Sequence, residues 1–123
     1  MHDGEGMRAF TVMLLLSLAA PSLSVAETLS GARLFAAKGC HICHGLEGRT
    51  PLSENYPVLA GQNVPYLIQQ LADIKRGSRS NGLSPTMRTI MEFVSDQEIE
   101  RIARYLGGLP WGDHPLSHRR LEQ

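Results

Sequence analysis

The sequence predicts a small all-α fold, with about four short helices wrapped around one tightly held group. Four segments carry apolar residues at helical spacing, and no segment alternates apolar and polar residues as a half-buried strand does. The 123 residues suit a single domain. Cys40 and Cys43 are the only cysteines, and they lie too close in sequence for a disulfide to join distant parts of the chain. We therefore expect something other than a disulfide to hold so small a core together.

The first two predicted helices are marked at both ends. Residues 30–38 form the first helix, which Ser30 can cap and which leads directly to the cysteine pair. Residues 64–76 form the second helix, with Asn63 as its cap and Gly77 as its end. Apolar residues recur on one face of the second helix, so this face is expected to be buried.

Two further helices and one long loop complete the predicted fold. The third helix is short and covers residues 86–93. The fourth begins at the capping-box sequence of residues 95–98 and ends at the glycine pair 107–108. Residues 45–62 show little periodicity and form a long loop for a compact domain, so we expect this loop to wrap around something.

The N-terminal residues 1–26 have the pattern of an export signal that is cleaved. Arg8 precedes an apolar stretch over residues 9–20, and small residues up to Ala26 suit a signal peptidase. The stretch is shorter than the ~20 residues that cross a bilayer. We therefore expect the protein to be exported, and an uncleaved membrane anchor is the alternative.

The signal defines the predicted domain boundaries. Cleavage after Ala26 leaves one domain over residues 27–109 and an irregular C-terminal tail over residues 110–123. The acidic residues ahead of Arg8 are unusual for a signal peptide, so Met7 is an alternative start of translation.

Cys40, Cys43 and His44 form a C-x-x-C-H segment, the signature of covalent haem attachment. Two cysteines spaced in this way within a helical turn place both sulfurs on one side, where each can add to one haem vinyl group. His44 can then supply a nitrogen ligand to the iron. The macrocycle would also provide the apolar core that so short a chain otherwise lacks. We therefore expect one covalently attached haem c.

Two other uses of the cysteine pair stay open. A structural zinc site needs four ligands, and the histidines that could join the pair, His114 and His118, lie in the predicted tail. A thiol–disulfide oxidoreductase carries its C-x-x-C segment beside a βαβ pattern, and the sequence predicts no such pattern. Both uses fit the sequence less well than a haem does.

Taken together, these segments resemble a class I cytochrome c. The resemblance is to the haem domains of dihaem periplasmic cytochromes and to the cytochrome subunits of periplasmic dehydrogenases. It covers about residues 29–109, which is nearly all of the predicted domain. It rests on an ordered series of segments, namely residues 40–45, 56–62, 66–67, 70–71, 77–81 and 87–90 and the terminal helix through Tyr105.

The resemblance implies an all-α fold in which the first and last helices cross, and an iron with histidine and methionine as axial ligands. Met87 fits the second ligand because it lies eight residues before Ser95, a spacing that resembles the axial methionine of the family. Met91 lies one helical turn further and is expected to pack in the core. A histidine or an open coordination position is the remaining alternative.

The resemblance also implies supporting roles around the haem. The carbonyl of Pro57 is expected to accept a hydrogen bond from the second ring nitrogen of His44 and to fix the ring plane. Leu59, Tyr66 and Leu67 are expected to form part of the haem wall. Each of these residues could equally serve only as a turn or core residue.

These assignments predict a periplasmic electron-transfer protein that is not an enzyme. An iron with two protein ligands exchanges electrons but offers no position to a substrate. We expect transient docking with a redox protein donor and acceptor, and contact with a membrane only through partner complexes. The alternatives are a haem c subunit dedicated to a periplasmic dehydrogenase or oxidase complex, and a haem-based sensor.

The net charge says little about which partners the protein binds. The formal net charge of +0 argues against binding nucleic acid through a general basic surface. Arg76, Arg79 and Arg88 lie near the predicted axial methionine and could steer a partner. They could equally form a solvated positive surface or neutralise the haem propionates.

Overall fold

The computed structural model describes residues 25–111, and these residues contain five α-helices and no strand. The predicted all-α fold is confirmed, although the cysteine segment forms a separate short helix in addition to the four expected. A short 3-10 turn at Leu46–Gly48 follows that segment. The helices are α1 (Val25–Ala37), α2 (Cys40–His44), α3 (Val64–Arg76), α4 (Ser84–Met91) and α5 (Asp96–Gly107).

A glycine turn separates α2 from α1. The backbone N–H of Lys38 still donates to Leu34, but that of Gly39 donates to Ala36 as the last turn tightens. Gly39 then adopts a left-handed conformation with φ of 73°. A residue with a side chain rarely adopts this conformation, so glycine allows α2 to start immediately on a new axis.

The first helix begins earlier than the sequence predicts. It starts at Val25, and Ser30 lies inside it, so the prediction that Ser30 caps the helix is wrong. Ala26, Glu27 and Leu29 are good helix formers, and Glu27 places a negative charge in the first turn. These residues extend the helix through a serine that is compatible with helical structure.

Helix α4, which corresponds to the third predicted helix, is displaced by two residues from its predicted position. It spans Ser84–Met91, whereas residues 86–93 were expected to be helical. Pro85 sits in the first turn, where its missing N–H is not needed and its fixed φ suits the helix. Phe93 consequently lies beyond the helix, with 77 % of its surface exposed.

The first and last helices cross in close contact, as the family resemblance implies. Gly31 is the contact point, because an added Cβ would lie 2.5 Å from the Arg101 carbonyl oxygen and from the Tyr105 Cβ. Phe35 packs beside this point, with its ring centroid 6.2 Å from that of Tyr105. The crossing holds the N-terminal end of the cysteine segment against the core of the domain.

We expect Gly31→Ala to destabilise the protein by about 2–3 kcal/mol. Alanine favours a helix more than glycine does, so a loss of stability would be caused by the steric clash with α5. Chemical denaturation of the two proteins measures the difference. Gly108→Ala is the control, because an added Cβ there lies 3.3 Å from its nearest neighbour. Equal effects of the two substitutions would contradict the close crossing.

The last helix is fixed at its start by a network of polar contacts. The Ser95 hydroxyl accepts from the Glu98 backbone N–H at 3.2 Å, and the Glu98 carboxylate accepts from the Ser95 N–H at 2.8 Å. This is the predicted capping box. Lys38 adds a salt bridge to Glu98 at 3.0 Å and so ties the end of α1 to the start of α5.

The core of the described residues lies between α1, α3, α4 and α5. Its members are Phe35, Leu59, Leu67, Leu71, Ile74, Met91, Val94, Ile99, Ile102, Ala103, Tyr105 and Leu106. Among the helices formed by residues 25–111, none has the length and apolar character required to cross a membrane. The predicted signal at residues 1–26 lies almost entirely outside the described residues, as does most of the predicted tail from residue 110.

Candidate haem-binding site

A cavity of about 280 Å³ opens beside this core and brings the predicted site residues together. Its walls come from all five helices and from the segments that join α2 to α3 and α3 to α4. Most of the lining side chains are apolar. Every residue that the sequence assigns to the site lines this cavity, namely Cys40, Cys43, His44, Pro57, Leu59, Tyr66, Leu67 and Met87.

The long loop after α2 forms one side of the cavity. Gly45 turns the chain with φ of 77°, and the Leu52 N–H then donates back to the Cys43 carbonyl at 3.0 Å. The backbone N–H groups of Leu59 and Ala60 both donate to the Gly48 carbonyl. These bonds fold the loop over the cavity, which agrees with the expectation that the loop wraps around something.

The short helix α2 supplies the three groups of the C-x-x-C-H segment. Cys40 and Cys43 are free thiols, each partly buried, one helical turn apart on the cavity wall. His44 ends the helix and exposes only 5 % of its surface. Two thiols and one imidazole are therefore presented to one apolar space by five consecutive residues.

A hydrogen bond fixes the His44 ring. Its Nδ1 lies 2.9 Å from the Pro57 carbonyl oxygen. Because a carbonyl only accepts, Nδ1 carries the proton and donates, which leaves the Nε2 lone pair available for a metal. The predicted hydrogen bond is present, and a bond of this kind holds the ring plane and makes the imidazole a stronger electron donor.

Burial keeps this imidazole neutral. Desolvation lowers the pKa of His44, and the hydrogen bond to Pro57 opposes this effect only in part. A neutral imidazole is the form that binds a metal. At neutral pH the site therefore offers an imidazole nitrogen that can bind a metal.

The cysteines do not resemble a thiol–disulfide redox pair. Burial raises the pKa of the Cys40 thiol to about 11. A redox-active or nucleophilic cysteine needs a lowered pKa, because the thiolate is the reactive form. The residues that the structure describes also contain no strand, so the βαβ setting of such proteins is absent from them.

The structure gives no support to a zinc site either. In the described part of the chain, no group of three or more His, Cys, Asp or Glu side chains could hold a metal ion. His114 and His118 lie outside the described residues. A four-ligand zinc site would therefore require residues that do not meet in residues 25–111.

Two thioethers reach the same cavity from α4. Met87 and Met91 both line it, one helical turn apart. Met91 exposes 3 % of its surface and belongs to the hydrophobic core, whereas Met87 is only partly buried and packs against that core. These environments agree with the expectation that Met91 is a core residue and leave Met87 as the thioether at the margin of the core.

The donor set and the lining fit a haem c. The thiols can form two thioether links, the neutral imidazole and one methionine can ligate the iron, and the apolar walls suit the macrocycle. His41, which lies between the cysteines, is partly buried, and its Nδ1 has no hydrogen-bond partner among the described residues.

No site role was predicted from the sequence for Tyr56 or Gln70, and Arg79 was predicted only as one of three arginines that could steer a partner, lie on a solvated surface or neutralise the haem propionates. The Tyr56 ring packs edge-on against the His44 imidazole, with the ring centroids 6.1 Å apart and the ring planes at 62° to each other. Gln70 and Arg79 line the cavity and are joined by a hydrogen bond of 2.9 Å. Gln70 lies one helical turn after Tyr66, so the sequence could have placed it on the same face of α3 as Tyr66. Nothing in the sequence indicates that the chain after α3 brings Arg79 back against that helix.

The all-α fold and the cavity with its C-x-x-C-H groups fit a small c-type haem domain, and comparison with known proteins agrees. The chain matches the family model Cytochrome c over residues 29–110. This match covers most of the sequence, and the chain belongs to the cytochrome c family.

Several relatives are cytochromes c4. The chain is 36 % identical to cytochrome c4 of Stutzerimonas stutzeri over 90 % of its own length and 57 % of the relative. It is 37 % identical to cytochrome c4 of Pseudomonas aeruginosa over 80 % of this chain and 47 % of the relative. The chain thus spans about half the length of these relatives.

A second group of relatives consists of proteins named thiosulfate dehydrogenase electron acceptor. The chain is 36 % identical to the thiosulfate dehydrogenase electron acceptor of Stutzerimonas stutzeri, over 63 % of this chain and 35 % of the relative. Among solved structures, reduced recombinant cytochrome c4 from Pseudomonas stutzeri superposes with a TM-score of 0.57 and 28 % identity. That superposition covers 71 % of this chain and 50 % of the other.

Proposed function

We propose that this protein transfers electrons through one covalently bound haem c with His44 and Met87 as axial ligands. One observation carries the proposal: a single apolar cavity collects the C-x-x-C-H groups from α2 and a methionine thioether from α4. Membership of the cytochrome c family supports the same function. In this proposal Cys40 and Cys43 hold the haem covalently.

The residues around the haem would act by keeping it and its axial ligands in fixed positions. A bound haem supplies an iron that is reduced and oxidised by one electron. The Pro57 carbonyl keeps the His44 ring in one orientation, and Tyr56 packs against its edge. Leu59 and Leu67, both buried, keep water from the cavity. Because nothing in the wall has to move when charge changes, reorganisation is small and electron exchange is fast.

Two axial ligands from the protein leave no coordination position for a substrate, so the chain itself is proposed not to be an enzyme. The export pattern of residues 1–26 supports a periplasmic location. In the periplasm the protein would exchange electrons with a donor and an acceptor by transient docking.

A second candidate is an electron-accepting subunit dedicated to one periplasmic dehydrogenase. The observation that favours it is the similarity to two proteins named thiosulfate dehydrogenase electron acceptor, at 36 % and 34 % identity. These matches cover about a third of each relative, at 35 % and 32 %. Co-purification with a larger redox enzyme would favour the dedicated subunit over a free carrier.

Carbon monoxide distinguishes an electron carrier from a haem sensor. The protein is produced together with a cytochrome-maturation system, reduced, and exposed to carbon monoxide at neutral pH. We expect an unchanged haem spectrum, because both axial positions are occupied, and complete reoxidation by a one-electron mediator. A carbon monoxide adduct at neutral pH would indicate a labile ligand and would contradict the proposed electron carrier.

A further inference from the structure

The turn between α3 and α4 contains an asparagine that is followed directly by a glycine. Asn81 and Gly82 are both exposed, and the Ser84 N–H closes the turn by donating to the Asn81 backbone carbonyl at 3.1 Å. Gly82 adopts φ of 57°, and a Cβ added there would meet nothing within 4 Å. Water therefore reaches both residues, and the space beside the glycine is open.

The backbone nitrogen of Gly82 is free to react. Its N–H makes no hydrogen bond to any residue that the structure describes. This nitrogen can close a five-membered ring with the side-chain amide carbon of Asn81, and an attack within one chain needs no second molecule to be brought in. Glycine has no Cβ to obstruct the approach and tolerates the backbone angles that ring closure requires. A nucleophile and an electrophile are therefore adjacent at this turn.

A cation is bound to the oxygen of the same amide. Arg79 Nε donates to the Asn81 side-chain oxygen at 3.3 Å, and Arg79 Nη1 donates to the Gln70 side-chain oxygen at 2.9 Å. Negative charge develops on the Asn81 oxygen when a nitrogen adds to its amide carbon. A cationic donor that is already in place stabilises this charge more than it stabilises the neutral amide. The arrangement therefore favours attack on the amide.

We propose that Asn81 and Gly82 form a site of spontaneous deamidation, with Arg79 as the donor that stabilises the reacting amide. The Gly82 nitrogen bonds to the Asn81 amide carbon, and the bond from this carbon to Nδ2 breaks. The Gly82 proton passes through solvent to the leaving nitrogen, which departs as ammonia. One water then opens the cyclic imide to aspartate or isoaspartate. The reaction needs no oxidant or reductant, and it adds one negative charge.

Solvent takes the proton because no side chain is in place to do so. The depression of the surface beside Asn81 contains a carboxylate, that of Asp73. This carboxylate already accepts from Gln69 at 3.0 Å and from Arg76 at 2.7 Å, and it does not bind the Gly82 N–H. The reaction is therefore expected to run on the timescale of protein ageing and not of enzymatic turnover.

The other two asparagines of the sequence lack these features. Asn55 is followed by Tyr56 and Asn63 by Val64, so a bulky side chain lies beside each nitrogen that would have to attack. The Asn63 side chain also caps α3 by accepting from the Tyr66 N–H at 3.1 Å, which holds its amide away from the next nitrogen. The same molecule thus contains two asparagines that should stay intact.

The modification would change the mouth of the cavity. Asn81 and Arg79 line both the cavity and the adjoining depression, so the new carboxylate would lie beside the guanidinium and offset its charge. Isoaspartate would also lengthen the backbone shortly before Ser84, where α4 with Met87 begins. The effect on electron transfer rests on the proposed function, whereas the deamidation itself requires no haem.

Peptide mapping of the matured protein after incubation at mildly alkaline pH tests the site. We expect ammonia release and conversion of position 81 to a mixture of aspartate and isoaspartate, while Asn55 and Asn63 remain. Gly82→Ala is the matched variant, because it keeps the asparagine and adds a Cβ that meets no neighbour. It should lose most of the conversion over the same time. Equal conversion in the two proteins, or earlier conversion of Asn55 or Asn63, would overturn the site.

Arg79→Gln tests the part that the cation plays. We expect ammonia release to slow by about threefold to tenfold, the factor that corresponds to one lost hydrogen bond to developing charge. Arg88→Gln is the control, because it removes the same charge from a side chain of α4 that does not line the cavity, and its rate should equal that of the wild type. An unchanged or faster rate in Arg79→Gln would overturn the role of Arg79.

Asn81→Asp reproduces one product and tests its consequence for the redox site. We expect the equilibrium constant for reduction by a reference mediator to fall about threefold, because a negative charge near the cavity favours the oxidised iron. A wild-type potential in Asn81→Asp would overturn this consequence while the deamidation stands. Matured wild-type protein without haem would instead contradict the proposed function, and the peptide map would still decide whether position 81 reacts.

Discussion

Replacing Cys40 and Cys43 together with alanine is expected to remove all covalently bound haem from the protein. Each sulfur forms one of the two proposed links, so a single substitution leaves one link and the double substitution leaves none. A haem-stained denaturing gel measures this directly, because haem held only by its iron ligands separates from the chain. The double variant should give no stained band.

The same variant should be strongly destabilised. An unfilled apolar cavity costs about 24 cal/mol per Å³, so 280 Å³ corresponds to about 7 kcal/mol if the walls do not collapse. This is comparable with the entire stability of a small domain. Without its haem, the chain is therefore expected to unfold at low denaturant concentration or to be unfolded in buffer.

Ile42→Ala is the control for the double variant. Ile42 lies between the cysteines but exposes 64 % of its surface, so its replacement should leave both the stained band and the stability nearly unchanged. A stained band of wild-type intensity from the double cysteine variant would contradict covalent attachment at these positions.

Replacing Met87 with alanine is expected to open one axial position of the iron. The oxidised protein should lose the charge-transfer absorption that marks an iron–thioether bond. The reduced protein should bind carbon monoxide, and the reduction potential should fall because thioether ligation raises it. Optical spectra of the two redox states, with and without carbon monoxide, measure these changes.

Met91→Ala is the matched comparison, because the two methionines lie one turn apart on the same helix. Met91 is 3 % exposed, so its truncation should cost about 2–5 kcal/mol of stability while the thioether absorption persists. If the absorption instead survives Met87→Ala and disappears in Met91→Ala, Met91 is the ligand and the assignment made here is wrong.

The sequence predicts best those parts of the fold that are specified by neighbouring residues. The helix α3 has its predicted bounds, because Asn63 caps it by accepting from the Tyr66 N–H at 3.1 Å and Gly77 ends it. The capping box of α5 is equally local. The start of α1 was misplaced because a serine inside a helix and a capping serine look alike in sequence.

The site was predictable in its chemical groups but not in its surroundings. The C-x-x-C-H segment indicates haem through residues that are adjacent in sequence. Tyr56 and Arg79 reach the cavity because of the path that a loop or a turn takes in space. Contacts between residues far apart in the chain, such as that of Tyr56 with His44, have no periodic pattern that a sequence could display.

The proposed function requires that the cavity holds one haem c with histidine and methionine ligands and that this haem exchanges single electrons. A combined optical and redox titration of the matured protein tests this most directly. We expect one haem per chain, a single one-electron transition, and the iron–thioether absorption in the oxidised form only. Protein that matures without haem, or that shows no thioether absorption when oxidised, would contradict it.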